Sequence, residues 1–422
     1  MSAPSPDGAR RVGITGVGLV TPLGVGNDGW QKALAGESGL GRPSDAYDPN
    51  LPVRVVGEVP DFNATDYISK KLAVRCDRNT HFAFAASMQG LADAGIDPEQ
   101  EDKSRIGLVF ASNYGGLSYY LDNLTRLHQS GPSFVSAYMA VAWIPSAPVG
   151  QLSIFYGFTG YSKTLVNDSA GGLDAIGAAY SAIRRGDSDV IIAGGFEAAL
   201  ADAAIVCLAT FDEVCKDAPD PAGAYRPFNA ERYGVVVAEG GAIVVLEELE
   251  RARARGAHVY AEAVGFAQTS DAVDLRSFAP DGEQYARAMR LALGQAGISP
   301  DRVDYVSADG RATAEGDHSE ARAVHRALGE RAATVPVSAP KAMSGNTLAG
   351  AGAIDTAFTA LAMREGVIPP TININHQDPE VDLQVVANEA QRAQIDAALV
   401  LARGTGGVNS ALVLRRVDEE GR

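Results

Sequence analysis

Apolar and polar positions along the chain separate into two kinds of segment. Short apolar runs bounded by glycine, proline or polar clusters predict buried strands at residues 11–24, 105–112, 161–167, 188–194, 233–246, 303–309, 334–338 and 397–413. Between these runs lie stretches with helical spacing. In one of them Leu173, Ile176, Tyr180 and Ile183 fall on one helix face before Gly186. Strands that alternate with helices predict an α/β fold with parallel sheets.

One helix-and-strand pattern occurs twice, about 200 residues apart. The first copy is an amphipathic helix that runs from Met88 to Gly95, and the second runs from Met289 to Gly297. In both copies the glycine is followed by isoleucine and, two residues later, by proline, a combination that ends helices. The repeat predicts two similar halves packed together, although chance similarity between two amphipathic helices is the alternative.

The predicted organisation follows from this repeat. Residues 1–10 form a flexible N-terminus, residues 11–250 an N-terminal half, residues 251–416 a C-terminal half, and residues 417–422 a tail. No low-complexity linker separates the halves, so we expect them to share one interface.

The composition limits the chemistry available to the chain. Hydrophobic residues make up 46% and charged residues 21% of the 422 positions, as in ordinary soluble globular proteins. The three cysteines contain no C-x-x-C pair, and the six histidines include no H-E-x-x-H spacing. We therefore expect no metal site and no disulfide scaffold.

An excess of acidic residues excludes several classes of partner. The chain has 36 lysines and arginines against 52 aspartates and glutamates, a formal net charge of −16. Nucleic acids and anionic membranes need a basic face, so neither is an expected partner. The first residues carry no signal-peptide pattern, and no apolar run reaches the roughly 18 residues of a membrane span. The expected location is cytoplasmic.

A strand, a tight turn of small residues and a helix meet at Ser169. Unpaired backbone N–H groups at a helix N-terminus stabilise negative charge, and enzymes place nucleophiles there. A serine also needs a neighbouring base, and Asn167 breaks the G-x-S-x-G hydrolase motif. The simpler interpretation is a small residue that lets helix and sheet pack. Asp168, just before it, is predicted to cap the helix.

Two further segments carry polar residues near strand ends. Residues 338–355 repeat the strand, turn and small-residue helix of the Ser169 segment, with Lys341 and Asn346 as the candidate polar residues. Residues 305–322 carry one histidine, His318, and several carboxylates, of which Asp309, Asp317 and Glu320 are the candidate site residues. From the residues alone, these carboxylates are either functional groups or helix caps and loop ion pairs.

These segments, in this order, resemble the β-ketoacyl synthase family. The resemblance extends over residues 11–416 and implies a thiolase-like fold with duplicated α-β-α-β-α layered halves. At the position of the family's catalytic cysteine, the run S-A-G-G-L-D-A has Ser169. Asp309 in D-G-R-A-T and Asn346 in G-N-T-L-A-G-A stand at the positions of its two catalytic histidines.

The replacements predict that this chain does not condense acyl groups by itself. Lys341, Asp317 and Glu320 match the family pattern, but the Cys-His-His set is lost, and Thr405 stands where the family has a gating phenylalanine. Claisen condensation needs a thiolate to hold the acyl chain and two imidazoles to stabilise the anions formed on decarboxylation. A hydroxyl, a carboxylate and an amide do not supply these groups.

A retained fold with a lost catalytic set is similar to one subfamily, the chain length factors, or ketosynthase beta subunits, of bacterial type II polyketide synthases. The A-G-G-L-D-A elbow and the closing residues 398–416 carry this resemblance, although members have glutamine where this chain has Ser169. The resemblance implies a catalytic ketosynthase alpha subunit as heterodimer partner. It also implies an acyl carrier protein whose phosphopantetheine carries the growing polyketide, and no cofactor on this chain.

The same resemblance places a substrate tunnel beside one helix of the N-terminal half. Leu117, Tyr120 and Leu124 match the positions that set chain length, and their i, i+3, i+7 spacing puts them on one helix face. Ala203 is the fourth tunnel position, and plain core packing is the alternative. The resemblance also implies that strand 161–167 pairs across the subunit interface, which agrees with the need of an exposed edge strand for a partner.

Two other functions stay open from the residues. A serine acyltransferase or hydrolase would use Ser169 with His318 as its base. A degenerate ketosynthase would act as a homodimeric scaffold in another pathway. Labelling by a fluorophosphonate probe distinguishes the first, and copurification with a cysteine-bearing ketosynthase distinguishes the second.

Overall fold

Strands from both halves of the chain join in one large mixed sheet. The computed structural model describes residues 9–45 and 47–417. The strands in this part of the chain are β1 (Val12–Thr21), β2 (Gly24–Val25), β3 (Ile106–Ala111), β4 (Ser162–Leu165), β5 (Val190–Glu197), β6 (Gly240–Glu248), β7 (Ala261–Ser270), β8 (Tyr305–Ser307), β9 (Pro336–Ser338), β10 (Val367–Ile368), β11 (Gln384–Val385), β12 (Gln391–Arg392), β13 (Ala397–Gly404) and β14 (Val408–Arg415). The helices are α1 (Asn27–Leu34), α2 (Lys70–Ala73), α3 (Arg78–Asp93), α4 (Leu117–Ser130), α5 (Met139–Ala142), α6 (Ala147–Tyr156), α7 (Gly171–Arg185), α8 (Asp202–Leu208), α9 (Leu249–Ala254), α10 (Glu283–Ala296), α11 (Ala314–Leu328), α12 (Lys341–Ser344) and α13 (Ala351–Glu365).

The strand order is the same in the two halves, as the sequence repeat predicts. In the N-terminal half it is β4-β3-β5-β6-β1, and in the C-terminal half it is β9-β8-β13-β14-β7. The first three strands of each series are parallel, whereas β6 and β14 run antiparallel to both neighbours. The predicted parallel pairing therefore holds for the first three strands of each series but not for the last two. In the C-terminal half the reason is a tight hairpin, which joins β13 to β14 and can connect only antiparallel strands.

Helices form one layer between the strands of the two halves and further layers on their outer faces. α7 and α13 pack against each other and contact strands of both halves, and most of their residues are buried. α3 packs on β1 and β6, and α10 packs on β7 and β14. β1 and β7 pair at three positions and thereby join the halves. This succession of helix, strand, helix, strand and helix layers confirms the predicted α/β, thiolase-like fold.

Glycines end the repeated helices where the sequence predicts. Gly95 follows the end of α3 and Gly297 follows the end of α10, and both have a φ of 64°. Gly186 ends α7 with a φ of 85°. Glycine adopts this left-handed conformation without the steric cost of a Cβ atom, so the helices end at fixed points.

Two strand predictions differ from the structure. The apolar run 397–413 is the hairpin of β13 and β14, because Gly406 and Gly407 turn the chain with φ values of 83° and 76°. The run 233–246 becomes a strand only from Gly240 onward, and the residues before it form isolated bridges instead.

The ends of the chain and the join between its halves carry further predictions. The flexible N-terminus and the tail fall mostly on residues 1–8 and 418–422, which lie outside the described residues. The division predicted between residues 250 and 251 falls within α9. Within residues 9–45 and 47–417, no helix is long and apolar enough to cross a membrane.

Candidate functional site

The turn at Ser169 joins β4 to α7 in an uncommon backbone conformation. Residues Asp168–Ala170 form a 3₁₀ turn, and α7 begins at Gly171. Asp168 has a φ of 48°, a left-handed conformation that aspartate tolerates better than most residues. Its carboxylate accepts hydrogen bonds from the N–H and the hydroxyl of Thr405, at 2.7 and 2.9 Å. The predicted helix cap is therefore wrong, since this carboxylate ties the turn to the loop after β13.

Ser169 and Asn346 contact each other. The Ser169 hydroxyl donates to the amide oxygen of Asn346 at 3.2 Å, and each residue is 1% exposed. The same oxygen accepts the N–H of Leu348 at 2.8 Å. An amide oxygen cannot take up the hydroxyl proton as a base, so this contact orders Ser169 without activating it.

Asp309 lies within a buried group of charges. Its carboxylate accepts the N–H of Arg403 at 3.3 Å and lies 3.9 Å from the ammonium of Lys341, which also pairs with Asp355. Burial lowers the pKa of Lys341, but the carboxylates of Asp355 and Asp309 outweigh that effect and raise it above its usual value. Lys341 is therefore charged and compensates two buried carboxylates.

Glu320 and Asp317 lie on α11 and bind the loop that carries Asp309. Glu320 accepts the N–H groups of Asp309 and Gly310 at 2.7 and 2.8 Å. Asp317 accepts the N–H of Ala312 at 3.0 Å. Burial raises the pKa of each carboxyl to about 7. The geometry gives both carboxyls a part in positioning the loop, which agrees with the structural interpretation of these groups.

His318 points to a different part of the molecule. Its Nε2 lies 2.7 Å from the carboxylate of Asp378, and its Nδ1 lies 3.7 Å from that of Glu380. The hydroxyl of Ser169 bonds to Asn346 instead. The structure thus does not bring together the two residues that the hydrolase alternative requires.

A buried arginine at the end of β13, Arg403, was not among the predicted site residues. Arg403 is 1% exposed, pairs with Asp271 at 3.1 Å, and donates to Asn409 at 3.1 Å and to Ser319 at 3.2 Å. Its guanidinium carbon lies 3.9 Å from the ring centroid of Phe278. A charge inside a sheet must be paired. The single arginine after the apolar run A-L-V-L-A was the signal that could have revealed it.

The predicted tunnel residues lie on α4 and α8. Leu117, Tyr120 and Leu124 are partly buried on α4, with the predicted helical spacing, and Ala203 is exposed on α8. None of the four belongs to the buried core of the described chain, which disfavours plain core packing. Their role in a tunnel stays a prediction.

Two buried carboxyls anchor the start of α4. Glu197, at the end of β5, accepts the N–H groups of Asn113 and Tyr114 at 2.8 and 3.3 Å. Asp77 accepts the N–H of Tyr119 at 2.9 Å. Burial raises the pKa of Glu197 to about 8 and that of Asp77 to about 6. The position of α4 relative to the sheet is therefore held by polar contacts within the interior.

The raised pKa of Glu197 predicts a pH-dependent stability. The ordinary pKa of this carboxyl is 4.5, so between about 4.5 and 8 the folded state binds its proton more tightly than the unfolded state. The free energy of unfolding should therefore fall as pH rises through this interval, by at most about 1.4 kcal/mol per pH unit from this group. Urea unfolding from about pH 5 to about pH 8 measures the slope.

Glu197→Gln keeps an acceptor oxygen but cannot titrate, so it should flatten this slope. Glu389→Gln, at an exposed position, is the matched control and should leave the slope unchanged. A slope identical in the wild type and Glu197→Gln contradicts this assignment.

Seven of the large apolar side chains that are exposed in the described residues lie in one segment, which we call the 138–166 surface. β4 lies at the edge of the sheet, as predicted for strand 161–167, and α6 packs beside it. Several side chains in this segment are more than a third exposed, namely Tyr138, Val141, Trp143, Ile144, Ile154, Phe155 and Val166. Such a concentration of apolar side chains next to an unpaired strand edge indicates an interaction surface.

Comparison of the sequence with known proteins identifies a family. Residues 9–252 match the N-terminal domain of beta-ketoacyl synthases, and residues 260–375 match the C-terminal domain. The ketoacyl synthase beta subunit of the tetracenomycin polyketide synthase of Streptomyces glaucescens is 40% identical over 419 residues, 99% of this chain and 100% of that protein. The 3-oxoacyl-[acyl-carrier-protein] synthase 2 of Synechocystis sp. is 37% identical over 409 residues, 96% of this chain and 98% of that protein.

Solved structures give the same relationship. A type II polyketide synthase ketosynthase, in complex with its acyl carrier protein and bound to the hexaketide, matches with a TM-score of 0.90 and 32% identity, over 97% of this chain and 100% of that chain. The ishigamide ketosynthase/chain length factor matches with a TM-score of 0.89 and 28% identity, over the same shares of the two chains. With both family domains present and relatives aligned along nearly its whole length, the chain belongs to the β-ketoacyl synthase family.

Proposed function

We propose that this chain is the non-condensing beta subunit, or chain length factor, of a type II polyketide synthase. In this role it pairs with a catalytic ketosynthase alpha subunit and helps to set the length of a poly-β-ketone built from malonyl-carrier-protein units. The observation that carries the proposal is the hydrogen bond between Ser169 and Asn346 inside a retained ketosynthase fold. That bond occupies two positions at which a condensing enzyme needs a thiolate and an imidazole.

The chemistry of the third position supports the same conclusion. Decarboxylation creates negative charge, which a condensing enzyme stabilises with donors. Asp309 would add a carboxylate there, and Lys341 is already shared between that carboxylate and Asp355. The group therefore stabilises the fold, and we assign no bond-making step to it.

Relatives support a beta subunit, although both kinds of protein occur among them. One relative along the full chain is a ketoacyl synthase beta subunit of a polyketide synthase. Others are 3-oxoacyl-[acyl-carrier-protein] synthases. The replacements at Ser169, Asp309 and Asn346 distinguish this chain from a cysteine-and-histidine enzyme, and they favour the first kind of relative.

The proposed division of labour assigns different tasks to the two subunits. The alpha subunit holds the acyl chain and forms the carbon–carbon bonds. The phosphopantetheine of an acyl carrier protein delivers the malonyl units, so this chain needs no cofactor of its own. Leu117, Tyr120, Leu124 and Ala203 would line the part of the tunnel that limits growth, with Thr405 at the gate position of the closing loop.

The 138–166 surface supports pairing with another subunit. It combines an unpaired strand edge with exposed apolar side chains, and burial of such groups drives association. The strong acidic charge of the chain disfavours direct binding of a carrier protein that is itself acidic. We therefore place the carrier protein mainly on the alpha subunit.

Reconstitution tests the proposal. The chain is coexpressed with a cysteine-bearing type II ketosynthase, the alpha subunit that the proposal requires, and the purified pair is given malonyl-carrier protein. We expect a one-to-one complex that makes a polyketide, and no product from either subunit alone. A stable homodimer that does not bind the ketosynthase would instead indicate the scaffold alternative.

The hydrolase alternative has its own test. A fluorophosphonate probe labels a serine only when its hydroxyl is activated, and Ser169 has an amide oxygen as its partner. We expect no adduct on Ser169 by mass spectrometry. Ser169→Ala serves as the control, and an adduct present in the wild type but absent from this variant would establish a serine nucleophile.

A further inference from the structure

Trp143 of the 138–166 surface forms an aromatic pair with Tyr120 of α4. Tyr120 lies in the first turn of α4, and Trp143 directly follows α5. Their ring centroids are 4.5 Å apart and the rings are inclined by 23°, a stacked arrangement. Trp143 is 42% exposed, so this chain alone does not bury the pair.

Two glycines fix the backbone of Trp143 against the start of α4. The N–H of Gly116 donates to the carbonyl of Trp143 at 2.9 Å. A Cβ atom on Gly115 would lie 2.1 Å from that carbonyl oxygen, and one on Gly116 would lie 2.1 Å from the carbonyl oxygen of Ala142. Gly115 also has a φ of 58°. Only glycine allows this approach at both positions, so the close contact requires these two glycines.

The other side of the pair is held as firmly. Glu197 and Asp77 bind the backbone just before and within the first turn of α4. The start of α4 therefore cannot move away from the sheet without breaking hydrogen bonds to two buried carboxyls, which are costly to leave unmade. With both backbones fixed, the Trp143 ring limits the positions that the Tyr120 side chain can occupy.

We propose that Trp143 is a specificity-determining residue that holds the Tyr120 side chain in one conformation and thereby sharpens the length of the product. The inference rests on the proposed function, in which Tyr120 limits growth of the chain. A tyrosine side chain has two rotatable bonds, and a neighbouring ring removes most of their freedom. A fixed Tyr120 side chain ends growth at one product length, whereas a mobile side chain gives a mixture of product lengths.

Variants of this chain, each paired with the catalytic ketosynthase, test the inference. Trp143→Ala removes the stacking ring, Trp143→Phe keeps a ring, and Leu291→Ala changes an exposed apolar residue on α10. Product lengths are measured by liquid chromatography and mass spectrometry. We expect the ratio of the main length to other lengths to fall by about two- to tenfold in Trp143→Ala, the range that one aromatic stack supplies.

Trp143→Phe and Leu291→Ala should keep the wild-type distribution of lengths. The ratio is taken among the products of each pair, so it does not depend on how much of the pair assembles. An unchanged distribution in Trp143→Ala, together with an altered one in Tyr120→Gly, would overturn the inference and leave the proposed function intact. A wild-type pair that assembles but makes no polyketide would overturn the proposed function, and the inference with it.

Fluorescence tests the geometry without any enzymatic activity. The chain has two tryptophans, and Trp30 is fully buried. The difference between the emission of the wild type and that of Trp143→Phe therefore reports Trp143. The same difference is then measured in the Tyr120→Leu background, with and without Trp143→Phe. We expect it to shift to longer wavelength there, because loss of the stack exposes the indole. No shift would contradict the stacked pair in solution.

Discussion

Ile154→Arg is expected to weaken strongly the proposed pairing of this chain with a catalytic ketosynthase. Ile154 is 79% exposed on α6, beside the edge strand β4. If this surface is the subunit interface, the substitution places an unpaired charge among apolar groups. The expected loss is about a hundredfold or more in affinity, the effect of leaving one buried charge without a partner. Calorimetric titration of the purified subunits measures it.

Two further variants make this result specific. Val166→Arg, next to β4 and 61% exposed, should have the same effect, whereas Leu291→Arg on α10, 45% exposed, should bind normally. All three positions are already exposed, so the variants should unfold at the wild-type temperature. Wild-type affinity in both Ile154→Arg and Val166→Arg would exclude this surface as the interface.

Lys341→Met is expected to destabilise the fold by about 3–5 kcal/mol, the usual cost of removing one partner of a buried ion pair. Lys341 is 2% exposed, and its loss leaves the buried carboxylates of Asp355 and Asp309 without their cation. Urea unfolding near pH 7 measures the change. Lys341→Met combined with Asp355→Leu should recover a large part of it, because no unpaired charge then remains at that contact.

A surface ion pair provides the matched control for this experiment. Arg290→Met removes the cation of a pair with Glu283 in which both side chains are 40% exposed, and it should cost less than about 1 kcal/mol. A Lys341→Met variant that is as stable as the wild type, or a double variant less stable than the single one, would contradict a stabilising role for the ion group.

Much of the fold could be predicted because the relevant signals are local. Gly95, Gly186 and Gly297 end helices through their own backbone conformations, and the apolar face of α7 follows from helical spacing. The strand–turn–helix segments at Ser169 and Lys341 were also recognisable, since each is continuous in sequence. These segments occupy equivalent places in the two halves, one after β4 and one after β9.

The parts that could not be predicted depend on residues far apart in the chain. Asp168 had the sequence position of a helix cap, but Thr405, 237 residues away, provides the donors that its carboxylate binds. Arg403 meets Asp271 across 132 residues. The stack of Tyr120 on Trp143 depends on the approach of two helices, which no local pattern encodes.

The mass of the intact subunits tests most directly whether this chain shapes a product whose bonds are made on another subunit. The reconstituted pair is incubated with malonyl-carrier protein, stopped during turnover, and separated for mass spectrometry. We expect acyl and polyketide adducts on the catalytic ketosynthase and an unmodified mass for this chain. An adduct on this chain that disappears in Ser169→Ala would contradict it.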